Sequence, residues 1–392
     1  MIITECAACA APLPRLAKQC SRCQMRYCGL ECQKKHWEEG GHDKLCKKIR
    51  KGGGAEQYHA NEKYAEAVAV AAEACAEDTK GQMCYICTEA VHWKTKDGLV
   101  RGCACRGTAG FAHVSCLAEQ AKILVAEAEE NNLRDKVDER FRRWRACGLC
   151  EQHYHGVVRC AFGWACWKTY LGRPESDKVW DLAISVLGNG LSEAGHHEHA
   201  LPVYEAELAM KRRLGASAAA IFVVQSNLAS TYQCLGQLDQ ALGMQHDVYD
   251  GHFNLFGEEF PRTFEAAINY ASTFFATQRL KEAKALLIKT LPVARRVNGE
   301  SHEITLKMRS MYACSLHMDT SATLDDLREA VSALEDVGPT ARRVLCGAHP
   351  LVGPIDHALH VSRAKLKARE ASAAGDVTSI CGALEAISPG DA

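Results

Sequence analysis

The C-terminal half of the chain repeats a pattern of apolar and polar positions every 42 residues. The segments LASTYQ from Leu228, YASTFF from Tyr270 and YACSLH from Tyr312 mark this period. Between these marks, apolar residues recur three and four positions apart, as they do on one face of an amphipathic helix. A fixed period of this length is typical of a helical solenoid, in which each helix pair buries its apolar face against the next.

The repeats predict four helix pairs between residues 177 and 337, the fourth degenerate, and a closing helix from Pro350 to Ala368. The period and the segment ALPVYEAELAMKRRLG resemble the kinesin light chain type of tetratricopeptide repeat (TPR). The resemblance implies that residues 177–370 form a groove that binds peptides or a helix of another protein. Small and polar residues at 371–392 predict a mobile tail. A coiled-coil rod is disfavoured because heptads are not sustained and glycines interrupt the pattern.

Cysteine is the unusual feature of the composition. The chain has 21 cysteines, and 17 of them precede residue 167. No window approaches the roughly eighteen uninterrupted apolar residues of a membrane span, and the first residues lack the charged and apolar regions of a secretory signal. We therefore expect no membrane span and a reducing compartment, cytoplasmic or nuclear, where paired cysteines indicate metal or redox chemistry.

The first cysteine cluster offers eight candidate ligands within residues 6–46. A Cys-x-x-Cys pair directs two sulfurs at one ion, and a structural zinc takes four such donors, so eight donors predict two tetrahedral zinc sites. So short a segment cannot bury enough apolar surface to fold unaided, and metal binding would supply its folding energy. The candidate ligands are Cys6, Cys9, Cys20, Cys23, Cys28, Cys32, His42 and Cys46.

Residues 1–50 resemble a MYND-type zinc finger, on the text CSRCQMRYCGLECQKKHW followed by HDKLC. The resemblance implies docking of short, often proline-containing peptides and no catalysis. His36 competes with His42 as a ligand, but His42 precedes Cys46 by four residues and can share an ion with it from adjacent helical turns. The resemblance also implies that alternate pairs of ligands share an ion. One zinc ion would be held by Cys6, Cys9, Cys28 and Cys32. The other would be held by Cys20, Cys23, His42 and Cys46.

Residues 51–80 predict a glycine break, KGGG, followed by an alanine-rich helix. Cys75 lies on that helix, and we expect it to be a small core residue. Cys160 and Cys166, in VVRCAFGWACWKTYL, are likewise expected to pack in a core because no further Cys-x-x-Cys pair completes a site.

A second cluster, within residues 81–172, again offers eight candidate ligands. Its one-residue gap between Cys103 and Cys105 and the Ile86 context resemble a RING-CH (RING-variant) finger; a PHD finger shares the ligand order and remains the alternative. The resemblance implies one zinc on Cys84, Cys87, His113 and Cys116, and another on Cys103, Cys105, Cys147 and Cys150. It also implies that Ile86 and Leu149 belong to a surface that binds a ubiquitin-conjugating enzyme.

Three departures from the RING-CH pattern bear on activity. The tryptophan usual after the sixth ligand is absent, and Trp144 is its candidate replacement. The gap from Cys116 to Cys147 is long and reads as a helical insertion. Glu151 occupies a position where many active RING fingers carry a basic residue.

Charge and the remaining histidines add little chemistry. Residues 1–51 carry eleven Lys and Arg against five Asp and Glu, which is best interpreted as a solvated surface, and the net charge of −1 makes nucleic acid an improbable partner. We expect His196, His197 and His199 to face solvent.

The sequence thus predicts a mostly α-helical protein, with two small cross-braced zinc fingers followed by a TPR solenoid. Four structural zinc ions are its expected cofactors, and proteins its expected partners. The leading hypothesis is a RING-type ubiquitin ligase, and the alternative is a non-catalytic adaptor. A lysine methyltransferase of the kind that combines a MYND finger with helical repeats is disfavoured because the chain lacks the corresponding SET motifs.

Overall fold

The computed structural model describes residues 5–11, 13, 16–345 and 349–374 of the chain. The described residues are mostly α-helical, and the predicted order of two fingers and then helical repeats is confirmed. Residue contacts divide the chain into unit 1, Met1–Ala216, and unit 2, Ser217–Ala392. The tail predicted for 371–392 lies, from residue 375 onward, outside the described residues.

The first finger has little regular structure apart from a short hairpin and two helices. In the hairpin, Lys18 pairs antiparallel with Tyr27. The second helix begins after Gly41, whose φ of 72° suits glycine, and it buries His42, Cys46 and Ile49 on one face. The elements are β1 (Lys18–Gln19), β2 (Arg26–Tyr27), α1 (Leu30–Glu38) and α2 (His42–Lys51).

A twenty-residue helix, α3 (Ala55–Ala74), follows the glycine break. It buries Ala60, Tyr64, Val68 and Ala71, which recur at helical spacing, and this face packs on a later helix, α6 (Gly156–Tyr170). The alanine-rich segment is therefore a packed element of unit 1.

The second finger is mostly loops before its helical insertion. Isolated bridges join Val100 to Ala112 and Ala146 to His153. The long gap between cysteines forms helices, as the sequence predicts: α4 (Val114–Glu130) and α5 (Val137–Phe141), with short 3-10 turns at Arg134–Lys136 and Arg142–Trp144. Tyr154 stacks on Phe162 with ring centroids 4.3 Å apart, so the finger is packed against α6.

Unit 1 continues with the helix pair α7 (Lys178–Glu193) and α8 (His197–Arg213). Glycines let α7 approach α6 backbone to backbone. A Cβ on Gly190 would lie 2.8 Å from the Arg159 carbonyl oxygen, and one on Gly163 would lie 3.1 Å from the Leu187 Cα. This close packing places α7 and α8 with the fingers in unit 1.

Unit 2 contains three further helix pairs and a closing helix, each packed on its neighbours in chain order. Phe264 and Leu306, which are 42 residues apart, are both buried, as the repeat predicts. Gly257 and Gly299 follow their helices with φ of 83° and 88°, which glycine adopts without strain. The helices are α9 (Ala218–Cys234), α10 (Leu238–Phe256), α11 (Pro261–Ala276), α12 (Leu280–Asn298), α13 (Glu303–His317), α14 (Leu324–Leu345) and α15 (Val352–Ala374).

Polar side chains connect successive repeats in unit 2. The Asn269 amide donates to the Ser226 hydroxyl over 3.0 Å, and the Thr273 hydroxyl donates to the Gln233 amide oxygen over 2.9 Å. These bonds join α9 to α11 in the stack.

Candidate metal centres

The first group of four thiols joins the start of the chain to the end of β2 and the first turn of α1. Its Sγ atoms lie 3.7 Å apart for Cys9 and Cys28, 3.4 Å for Cys28 and Cys32, and 3.7 Å for Cys32 and Cys9. Sulfurs at a zinc bond length of about 2.3 Å in a tetrahedron lie roughly 3.8 Å apart, so the group has the size that Zn²⁺ requires. Its members are Cys6, Cys9, Cys28 and Cys32.

The second group connects the β-hairpin to α2 and is buried throughout. Cys20 Sγ lies 3.7 Å from Cys46 Sγ, and Cys23 Sγ lies 3.4 Å from His42 Nε2. His42 and Cys46 occupy adjacent turns of α2 and face the same point. The group comprises Cys20, Cys23, His42 and Cys46.

His36, the competing candidate, lies beside this group and outside it. Its Nδ1 is 3.0 Å from the Tyr27 hydroxyl, and its ring stacks on His42 with centroids 5.1 Å apart. His36 therefore supports the orientation of the His42 ring.

The third group brings the first thiol pair of the second finger to the start of α4. His113 Nδ1 lies 3.4 Å from Cys87 Sγ and 3.6 Å from Cys116 Sγ, close to the roughly 3.6 Å expected between nitrogen and sulfur donors on one zinc ion. The other ring nitrogen, Nε2, is 3.4 Å from the Ala90 carbonyl oxygen, an outer contact typical of metal-binding histidines. The group is Cys84, Cys87, His113 and Cys116.

The fourth group joins the loop after Val100 to the last thiol pair. Cys105 Sγ lies 3.7 Å from Cys147 Sγ. Gly110 packs against this site with φ of 86°, and a Cβ there would lie 2.6 Å from the Cys105 Cβ, so only glycine fits. The members are Cys103, Cys105, Cys147 and Cys150.

Each finger is cross-braced because its first and third ligand pairs share one group and its second and fourth share the other. The donor sets, one Cys₄ and one Cys₃His in each finger, are those of structural zinc sites. The prediction of four zinc sites is confirmed, because the structure contains four clusters of cysteine and histidine that could each bind a zinc ion. Four protein donors leave no coordination position for water, so the sites suit structural ions and not Lewis-acid catalysis.

Burial, with the crowding of neighbouring thiols, raises the pKa values of several ligand cysteines. Burial and neighbouring thiols raise the pKa of Cys23 to about 12 and that of Cys105 to about 11. A divalent cation supplies the opposite charge that allows such thiols to ionise together.

The remaining cysteines and histidines lie outside these groups. Cys160 and Cys166 are buried in α6, and Cys75 is half-buried at the end of α3. His196 and His199 are exposed, as the sequence predicts, whereas His197 is only partly exposed.

The zinc loops of the second finger present apolar side chains to solvent. Ile86 is 37% exposed and Leu149 is 53% exposed. Each lies two residues after a cysteine whose Sγ accepts a 3.4 Å hydrogen bond from its backbone N–H. Trp144 does not replace the missing tryptophan on this surface, because it is buried and its Nε1 donates to the Tyr170 hydroxyl over 3.3 Å. Ile123 of α4 is exposed and lines a cavity with Ile86.

Glu151 is ion-paired, a relationship that the sequence analysis missed. Its carboxylate lies 2.7 Å from Arg143 and 3.6 Å from Arg142. Two guanidinium groups therefore surround the single acidic side chain, and the pKa of Glu151 is lowered by its bond to Arg143. The sequence offered a signal for these ion pairs, the arginine-rich run FRRWR shortly before the last thiol pair.

Comparison with known families agrees with this architecture. The family profile of the MYND finger matches residues 6–46, that of the RING-variant domain matches 84–134, and that of the tetratricopeptide repeat matches 223–262 and 263–303. The last thiol pair of the second finger, Cys147 and Cys150, lies beyond the RING-variant match and is placed by the structure alone.

Among solved structures, the chain is similar to BtubC (BKLC) from P. vanneervenii, with 15% identity, a TM-score of 0.42, and coverage of 69% of this chain and 88% of that one. Another contains nearly identical TPR-like repeats of a candidate kinesin light chain from Podosopora anserina, with 20% identity, a TM-score of 0.39, and coverage of 52% and 92%. No curated protein matches the chain.

The chain is therefore a multidomain protein of the protein-interaction class, with a MYND finger, a RING-variant domain and TPR repeats. None of the helices in the described ranges is long and apolar enough to cross a membrane.

Proposed function

We propose that this protein is a RING-type ubiquitin ligase whose sixteen cysteine and histidine donors hold four zinc ions. The observation that carries the proposal is the exposure of Ile86 and Leu149, one on each zinc loop of the second finger. Exposed apolar side chains on rigid loops favour a docking surface for another protein. By resemblance to RING fingers, that protein is a ubiquitin-conjugating enzyme.

The finger would act by positioning. It would hold the charged conjugating enzyme beside a substrate bound elsewhere on the chain, so that a substrate lysine attacks the thioester at high effective concentration. The zinc ions would keep the two loops in place and take no part in the chemistry. Substrate or partner segments would bind the MYND finger and the TPR groove, in the cytoplasm or the nucleus.

A non-catalytic adaptor is the second candidate. Two observations favour it: Trp144, the candidate replacement for the missing tryptophan, is buried, and a carboxylate, Glu151, occupies a position that is often basic in active fingers. As an adaptor, the protein would use the MYND finger, the RING-variant domain and the TPR repeats only to hold partner proteins together.

Autoubiquitination of the full chain with a panel of purified conjugating enzymes separates the two. A ligase gives products that Ile86→Ala and Leu149→Ala abolish without changing the zinc content. Ile288→Ala in α12 is the matched control, since Ile288 is equally apolar and exposed but distant in sequence from the finger. Absence of products across a broad panel contradicts ligase activity and favours the adaptor.

A further inference from the structure

A continuous groove runs through unit 1. Its end at the first finger is lined by Cys6 and His42, which belong to that finger's two metal groups, and the rest lies outside the metal groups and outside the segments that a family profile matches. Two adjoining cavities of about 450 and 190 Å³ form it. They share Lys63, Trp164 and His199, so the groove lies between α3 and the start of α8, over α6.

One end of the groove is acidic. Glu5, Glu62 and Glu198 line it and are exposed. Within the described ranges, none of the three carboxylates forms an ion pair, whereas Lys63 is paired with Glu66 at 2.8 Å. The three carboxylates at this end thus lack an ion-paired cation in the described ranges, although Glu62 accepts a hydrogen bond from the partly buried Tyr58 and Lys63 lines the same cavity.

The other end is apolar. Val70, Val157 and Leu191 line it, and Val70 is 50% exposed although it lies on a helix packed into the unit. An exposed valine in a concave site leaves apolar surface that a ligand can cover. The two ends thus differ in chemistry, and a ligand would be oriented by that difference.

The dimensions fit a short peptide. From His59 to Val70 the groove follows eleven residues of α3, or roughly 16 Å at 1.5 Å per residue. An extended chain spans about 3.3 Å per residue, so the groove accommodates roughly five residues. The acidic lining repels phosphate, which argues against nucleic acid. Among the described residues, the carboxylates of the groove and its histidines other than His42 belong to no group of metal-ligand geometry, which argues against a further metal ion here.

We propose that this groove binds an extended segment of a partner protein that carries Lys or Arg at one end and a large apolar side chain about four residues away. The cation would pair with Glu62 and Glu198, and the apolar side chain would cover Val70 and Leu191. This binding is independent of recruitment of a conjugating enzyme, so either proposal can fail without the other.

Fluorescence anisotropy of the zinc-loaded full chain tests the proposal. The probes are fluorescein-labelled Arg-Arg-Ser-Ser-Leu-Leu and its reversed sequence, because the direction of binding is open. Glu-Glu-Ser-Ser-Leu-Leu and Arg-Arg-Ser-Ser-Ser-Ser are the comparison probes. We expect saturable binding of at least one Arg/Leu peptide and weaker binding of both comparison peptides.

Variants locate the binding. The double substitution Glu62→Gln with Glu198→Gln is expected to weaken binding of the Arg/Leu peptide about fivefold, because two partly exposed ion pairs are lost. The substitution Val70→Ser is also expected to weaken this binding. Glu73→Gln with Glu77→Gln is the matched control, because both residues are exposed acids beyond the groove, Glu73 in the last turn of α3 and Glu77 just after it. Ile86→Ala should leave this binding unchanged.

Three results overturn the proposal: no saturable binding of either orientation at about 1 mM peptide, equal affinity for the Glu/Leu peptide, or equal weakening by the groove and control pairs. Circular dichroism and zinc content of each variant show whether a loss of binding reflects a loss of folding.

Discussion

The backbone N–H of Ala55 donates a 2.8 Å hydrogen bond to the carbonyl oxygen of Cys23. Ala55 begins α3, and Cys23 belongs to the buried Cys₃His group of the first finger. An amide at the start of α3, which has no partner within the helix, is thus satisfied by a zinc loop. The same helix forms one wall of the proposed groove, so metal binding and groove geometry are connected through this bond.

Loss of the Cys₃His zinc site should therefore loosen the start of α3. We expect Cys23→Ser to speed amide hydrogen exchange at Tyr58 and His59, measured by mass spectrometry, as well as in the first finger. Cys234→Ser is the control, since Cys234 is exposed in unit 2. Unchanged exchange at the start of α3 in Cys23→Ser would contradict the coupling.

Gly190 should tolerate no side chain. A Cβ would lie 2.8 Å from the Arg159 carbonyl oxygen, so Gly190→Ala has to push α7 away from α6. We expect a loss of about 1–3 kcal/mol in the free energy of unfolding. All six tryptophans lie in unit 1, so urea unfolding followed by tryptophan fluorescence reports this unit. Gly172→Ala, with no atom near the added Cβ, should leave the midpoint unchanged; an equal shift would remove the explanation.

Acid should destabilise unit 2 through His317. Burial, with a smaller contribution from Lys365 and His357, lowers the pKa of His317 to about 4. In the unfolded chain His317 takes up a proton near pH 6.5, whereas in the folded chain it does so only near pH 4. The stabilisation that neutral His317 gives the folded state is therefore complete above pH 6.5 and is lost as the pH falls towards 4. The expected loss is about 3 kcal/mol.

Hydrogen exchange of α13 and α15, corrected for the intrinsic exchange rate at each pH, measures this effect. His317 Nδ1 lies 2.9 Å from the Ser362 hydroxyl, so His317→Asn keeps a polar group at that position and removes the titration. The variant should show a flatter dependence on pH between 6.5 and 4. Identical slopes in the two proteins would show that other groups carry the dependence.

Glu151 should limit the proposed ligase activity. Its carboxylate neutralises Arg143 and Arg142, two cations beside the last thiol pair. Glu151→Gln removes the neutralising charge while both guanidinium groups keep their bonds to the Glu151 and Cys147 carbonyl oxygens, and we expect faster discharge of ubiquitin from a charged conjugating enzyme to free lysine. Glu139→Gln, an exposed acid on α5, is the control. Slower discharge in Glu151→Gln would show that the ion pairs support the active geometry.

The sequence predicted the features that depend on local spacing. Pairs of cysteines two to four positions apart predict shared ligation because a short turn or one helical turn brings their sulfurs together. The 42-residue period likewise predicts helix pairs, because equivalent residues such as Phe264 and Leu306 have to be buried alike.

Features that depend on packing between distant segments were not predictable in this way. Trp144 was expected near the docking surface, yet it is buried against Tyr170, 26 residues later. The groove needs α3, α6 and α8 to converge, and no local pattern specifies that arrangement. From the sequence, Glu62 and Glu198 are indistinguishable from other surface acids. Only the fold brings them together at one end of the groove.

The zinc content of the purified full chain, measured by elemental analysis after dialysis against metal-free buffer, tests the account most directly. Four zinc ions per chain are predicted for the wild type, and three for Cys147→Ser, which removes a donor from the group that lies partly beyond the RING-variant match. A wild-type value of two or fewer, or no loss of zinc in Cys147→Ser, would contradict it.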